Sequence, residues 1–291
     1  VGTPPNSASH RYVNRRKVPH LFLTTCSSTC GDPDNYPWTM GYIPCYAAEG
    51  RIYAKYFKEN RPDAKIGILY QNDDFGRDYM DAFIDQLGDE SMVVSKVSYD
   101  TSAATVDSQL STLKESGADV FFNVSSPKFA AQAIRRAGEI GWEPEQFLVS
   151  VSNARSAVLE PAGLEQSTGI ISTQYLKEPT NPAYANDPDM LAWREFKENY
   201  FPKASEGNWW DWSCYTTSYT LEHVLTQAGD ELTRENLMKV AASLEGFEAP
   251  MLLPGITVNT SADDFAPIEA MSLMKFDGTN WVLFGDVIAV D

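Results

Sequence analysis

The sequence predicts an α/β protein built on a parallel, doubly wound sheet. Three observations carry that prediction. Short continuous apolar runs recur through Gln174, helical patterns separate them, and the loops that follow the runs are rich in Ser, Thr, Asn and Asp. Continuous apolar runs are the signature of strands covered by helices on both faces.

Taken in order, residues 7–17 read as a short helix ending before Pro19, and 20–24 (HLFLT) as a buried strand. A loop of Ser, Thr, Gly, Asp and Pro runs on to Pro44. Residues 46–60 are helical, with Ile52, Tyr53, Tyr56 and Phe57 on one face. Strands follow at 65–70, 92–99, 119–124, 146–151 and 169–174, and helices at 78–87, 104–116 and 128–140. Beyond Gln174 the pattern turns helical, at 190–200, 212–228 and 234–244. The last of these is capped by Thr233, with Glu235 in its first turn. Residues 271–276 and 281–287, joined by DGTN, read as a hairpin.

Composition narrows the function. The 291 residues include 43% hydrophobic and 12% aromatic side chains, a globular composition. The net charge of −17 argues against nucleic acid and against anionic membrane surfaces. No apolar run is long enough to span a bilayer, and the opening VGTPPNSASHRY has no signal-peptide pattern. Cys26, Cys30 and Cys45 cluster without the paired spacing of a zinc ribbon, so no metal is assigned. In an oxidising compartment they would form a disulfide, and spacing leaves the pair open, with Cys214 also available. No GxSxG, Walker or GxGxxG motif occurs, and His10, His20 and His223 are scattered, so no catalytic residue or cofactor is expected. Asn123 and Asn259 open N-x-S/T sequons.

Ligands of doubly wound sheets gather beyond the carboxyl ends of the strands. Those ends are 24–30, 70–76, 124–127 and 151–155, all polar.

Several stretches together resemble the periplasmic solute-binding proteins of the branched-chain amino acid ABC importer family. They include KVPHLF before a Ser/Thr loop, DPDNYPWTMGYIPCYAAEGRIYAKY, KIGILYQNDDFGRDY, SVSNARSAVLEPAGLEQSTGIIS, ELTRENLMKVAASL and the long segment from PMLLPGITV to LFGDV. The resemblance covers nearly the whole chain in one order. It implies a two-lobed periplasmic-binding-protein type I fold with three hinge crossovers, near 40–45, 170–175 and 267–272. Lobe 1 would comprise 1–45 and 176–266, and lobe 2 would comprise 46–175 and 267–291. Family members carry strand–helix units ahead of the VGTP turn, so lobe 1 is expected to be incomplete and the chain N-terminally truncated.

The resemblance also implies a role: a monomeric receptor, periplasmic or otherwise extracytoplasmic, that closes on a small solute and presents it to an inner-membrane ABC permease. A ligand-sensing receptor of the same fold is the alternative. Cys26, Ser27 and Ser28 match the loop that grips a ligand carboxylate, where N–H groups and hydroxyls make charge-assisted bonds; the same composition also suits a solvated turn. Lobe 2 would supply Phe75, Ser125 and Val151, with Asn153 nearby. Amino acid receptors of the family carry an acid at the Val151 position to hold the ligand ammonium. Valine cannot do that, and an unpaired buried charge is costly. An aromatic or aliphatic carboxylate, or an amide, therefore fits better than leucine, isoleucine or valine. Asp73 and Asp74 could still reach an ammonium, or could simply cap a helix. Tyr42, Tyr46, Trp209, Trp210 and Trp212 are candidate apolar walls; for the NWWDW cluster, packing between lobes is an equal reading.

Overall fold

A computed structural model describes residues 1–290. They divide into two units: Val1–Tyr46 with Tyr175–Ala270, and Ala47–Gln174 with Met271–Val290. Asp291, the last residue assigned above to lobe 2, lies outside the described residues.

The first unit opens with α1 (Thr3–Arg15). This helix starts earlier than its apolar pattern because Pro4 and Pro5 occupy the first turn, where a missing N–H costs no intrahelical bond. β1 (His20–Leu23) pairs in parallel with β2 (Thr39–Gly41). β2 lies inside the segment read as loop; three residues are too few to show a period. Gly41 is required there, since a Cβ would stand 2.7 Å from Cys26 Sγ and 2.8 Å from Thr25 O.

α2 (Tyr46–Asn60) leads into the second unit and buries Ile52, Tyr53 and Phe57. It is followed by β3 (Ile66–Gln71), α3 (Asp74–Leu87), β4 (Val93–Tyr99) and α4 (Asp107–Glu115). Then come β5 (Val120–Val124), α5 (Pro127–Glu139), β6 (Glu145–Leu148), the short α6 (Glu160–Ala162) and α7 (Leu164–Ser167), and β7 (Ile171–Gln174). The chain re-enters the first unit for α8 (Pro188–Tyr200), α9 (Trp209–Ala228) and α10 (Arg234–Ala241), and returns for β8 (Ala270–Phe276) and β9 (Trp281–Ala289).

The second unit's sheet has seven strands in the order β4-β3-β5-β6-β7-β8-β9. The first five are parallel; β8 runs antiparallel to β7, so the sheet is mixed where the sequence suggested parallel strands. β8 runs antiparallel because the chain leaves the second unit after Gln174 and returns to it at Met271, at the same end of the sheet. Adjacent residues of β5 feed opposite layers. Phe121 packs with Leu110, Leu113, Phe129 and Trp142 of the α4–α5 side, while Phe122 meets Tyr53 and Phe83 of α2 and α3. The chain moves from β3 out to β4, then back across β3 to β5. The strand order therefore reverses between β3 and β5, which places a ligand crevice at their carboxyl ends.

Candidate functional site

In the first unit, the loop after β1 carries the expected carboxylate-gripping residues. Cys26 and Ser27 are buried and Ser28 is exposed. Cys26 is bonded to Cys45, which settles the pairing that the spacing left open. The disulfide ties this loop to the residue just ahead of α2, and Tyr46 N–H donates to Cys26 O at 3.0 Å. Ser27 O accepts from Cys30 N–H at 2.8 Å, closing a turn that holds Ser28 at its tip. Beneath it, Thr3, Thr25 and Tyr46 form a buried hydroxyl trio at 2.8, 2.9 and 3.2 Å. Burial pushes the Tyr46 phenol up to about 12, so it stays neutral in this cluster.

Tyr42 is in the core of the unit, its hydroxyl 2.7 Å from Thr220 Oγ1 on α9. Burial raises its phenol well above the ordinary value. Trp210 is 42% exposed in the first turn of α9, edge-on to Trp209 at 4.8 Å, whereas Trp212 is buried. Trp209 and Trp210 belong to α9 itself, which begins a turn before the predicted start.

In the second unit, Phe75 and Ser125 follow the carboxyl ends of β3 and β5. Asp73 caps α3, accepting from Gly76 N–H at 3.3 Å, and its other oxygen accepts from Gln71 Nε2 at 2.6 Å. Gly76 permits this tight turn, because a Cβ would strike the backbone of Gln71. Phe75 is buried, its ring 5.5 Å from that of Tyr79. Ser125 follows β5, fully buried, and its hydroxyl has no hydrogen-bond partner among the described residues. Asn123, two residues earlier, is 1% exposed with both amide atoms unpartnered. Its burial excludes a glycan, whereas Asn259 is exposed.

Val151 is not at a strand end. β6 stops at Leu148, and Ser150–Ser152 form a 3₁₀ turn with Val151 half-buried at its centre. Every polar neighbour in that turn is committed inward. Ser152 Oγ donates to Ser125 O at 2.5 Å. Asn153 Nδ2 donates to Ser172 Oγ at 3.2 Å and Thr173 O at 3.0 Å, and Asn153 O accepts from Trp281 Nε1 at 3.0 Å. Ser150 is held by Glu49, a residue the sequence reading passed over. Glu49 is fully buried and accepts from Ser150 N–H at 2.7 Å, Ser150 Oγ at 2.6 Å, Tyr79 Oη at 2.5 Å and Thr173 Oγ1 at 2.7 Å. A signal was present: Glu49 stands three, four, seven and eight residues before Ile52, Tyr53, Tyr56 and Phe57, on the apolar face of α2.

Other cavities lie away from these groups. One of about 610 Å³ is lined by Lys55, Tyr56, Asn60 and β9, and another of about 430 Å³ by Thr168, Gly169 and Phe284. Among the described residues, no group of three or more His, Cys, Asp or Glu is placed to hold a metal, and no helix is long and apolar enough to cross a membrane.

Residues 1–280 match the family model described as periplasmic binding protein. The chain belongs to that family. It is a family of binding proteins, not enzymes. No curated protein sequence matches the chain significantly. Among solved structures, the chain is similar to a branched-chain amino acid ABC transporter protein from Thermus thermophilus with bound valine. The TM-score is 0.83 at 12% identity, covering 99% of this chain and 77% of that one. A possible leucine/isoleucine/valine-binding protein from Rhodopirellula baltica SH 1 gives 0.79 at 18% identity, with 98% and 75% covered. A fatty acid ABC transporter substrate-binding protein from Thermomonospora curvata gives 0.76 at 15% identity, with 100% and 74% covered. At these identities the likeness is one of fold.

Proposed function

We propose that this periplasmic binding protein is the extracytoplasmic receptor of an ABC importer. It captures a small carboxylate or amide and delivers it to a membrane permease, acting as a monomer. Each unit offers its own set of candidate solute-binding groups. The first presents the Ser27–Ser28 turn to an anionic or carbonyl oxygen; the second presents Phe75, Ser125 and Val151. Cys26 holds the turn in place, and Tyr42, Trp210 and Asn153 shape the surroundings.

The observation that carries the choice of solute is the Val151 turn. Val151 is half-buried there among three residues whose polar groups bond within the protein. Glu49, which bonds the neighbouring Ser150, is fully buried and already accepts four hydrogen bonds. Asp73 is engaged as a helix cap. A ligand ammonium entering at this turn would meet a valine in place of an acid, and an ion buried without a partner costs several kcal/mol.

A thermal-shift panel of aliphatic and aromatic acids, amides and amino acids tests the proposal. A ligand at about a hundred times its Kd adds roughly 2.7 kcal/mol, a shift of several degrees for a chain of this size. Shifts from acids or amides support the assignment. Shifts from amino acids alone overturn it.

A further inference from the structure

The sheet's covalent order does not explain why β6 ends at Leu148. The run VSVSN continues the same β-branched and small residues, and Ser150 could have continued the ladder. Instead its N–H is taken by a side chain 101 positions away in sequence. Glu49 reaches in from the first turn of α2, and its two oxygens divide four donors. Oε1 accepts from Ser150 N–H and Thr173 Oγ1, and Oε2 from Tyr79 Oη and Ser150 Oγ. Ser150 is thus held through both its backbone and its side chain.

We propose that Glu49 is the positioning residue of the Ser150–Asn153 turn: its carboxyl, acting through Ser150, fixes which way Val151 faces, and the turn changes conformation with the state of that carboxyl. The carboxyl touches no solute itself. Its grip is amplified because the rest of the turn is anchored: Ser152 to Ser125 just past β5, and Asn153 to β7 and to Trp281. Displacing Ser150 therefore leaves Val151 as the residue that must move.

The charge environment makes this contact sensitive to protonation. Tyr53 on α2 and Tyr79 on α3 are the ionisable groups that face the carboxyl; the 150–153 turn and β7 bring none, and no ion pair reaches Glu49 among the described residues. Burial raises its affinity for a proton, opposed by the hydrogen bonds from Ser150, Tyr79 and Thr173. When ionised it accepts all four bonds. When protonated, one oxygen becomes a donor, so a hydroxyl must turn round to accept: Thr173 at Oε1, or Ser150 or Tyr79 at Oε2.

That the turn meets a solute rests on the function proposed above. The clamp does not, and it can be measured with no solute present, so the two ideas fail separately. The experiment follows the amide resonances of Ser150 and Val151 and the methyl resonance of Val151 by NMR across the pH range in which the whole chain stays folded. Glu49→Gln serves as the isosteric neutral form, and Tyr79→Phe as a variant lacking one donor to the carboxylate. In the wild type the three signals should titrate together, with a midpoint above the ordinary carboxylate value of 4.5. They should be flat in Glu49→Gln. In Tyr79→Phe the midpoint should move up, since the ionised form has lost a bond; this arm stands even if the Gln variant does not fold. Signals that stay flat in the wild type, titrate unchanged in Glu49→Gln, or keep their midpoint in Tyr79→Phe would overturn the proposal.

Discussion

Reduction of the Cys26–Cys45 disulfide should destabilise the first unit by about 3 kcal/mol. The bond closes a loop with a sequence separation of 19. Loop-closure entropy for a ring of that size lies a little above the value for a fifteen-residue loop, itself about 3 kcal/mol. For a unit of this size each kcal/mol is worth roughly 2–4 °C, so the transition should fall by about 6–12 °C. The loss is more than global, because the closed loop holds the Ser27–Cys30 turn and β2, with Gly41 packed against Cys26 Sγ. The assay is calorimetry with and without reductant in a Cys30→Ser, Cys214→Ser double variant, where only one pair can form. Hydrogen exchange at Ser27 and Ser28 should accelerate in parallel. An unchanged transition on reduction, with the disulfide verified by peptide mapping, would refute the reasoning. So would a map of the wild type that pairs Cys26 with Cys30.

Other outcomes follow from single contacts. Tyr42→Phe removes one buried hydroxyl whose partner, Thr220, keeps its bond to Thr216 O; it should cost about 0.5–1.5 kcal/mol by denaturant unfolding. Ser28→Ala should weaken binding of a carboxylate solute by about 1.5–3 kcal/mol in calorimetric titration, and a loss below about 0.5 kcal/mol would remove Ser28 from the site. Val151→Glu should admit an amino acid ammonium, and no gain in L-leucine affinity would count against its placement. Glu49 binds its proton more tightly folded than unfolded. Stability should therefore fall as pH rises from about its unfolded value of 4.5 through the raised folded value, and Glu49→Gln should flatten that slope in thermal unfolding curves taken across pH.

Much of the second unit was legible because its signals are local. The apolar face of α2 set both its ends, and β3, β5 and β7 stood out as apolar runs between polar loops. What local patterns missed was fixed by capping or by distant contacts. α3 starts a turn early because Asp73 caps it just ahead of Phe75, which opens the buried row Phe75, Tyr79, Phe83 and Leu87. β6 ends early because Glu49 captures Ser150, and no reading of VSVSN alone can contain that fact. In the site, the polar residue types at the strand ends were evident, but not which of them remain available. Asn153 looks like a ligand group in sequence, yet it and its neighbour Ser152 are bonded within the unit in three dimensions. The disulfide partner was likewise a matter of geometry, decided by the approach of Cys45 to the loop after β1.

The central claim is that this receptor binds a solute lacking an ammonium group. It is tested most directly by calorimetric titration of the wild type with pairs that differ only in that group: L-leucine against isocaproate, and L-phenylalanine against hydrocinnamate. The predicted result is that the deaminated acid of at least one pair binds ten times more tightly or better than its amino acid, about 1.4 kcal/mol. Tighter binding of the amino acid in either pair would contradict it.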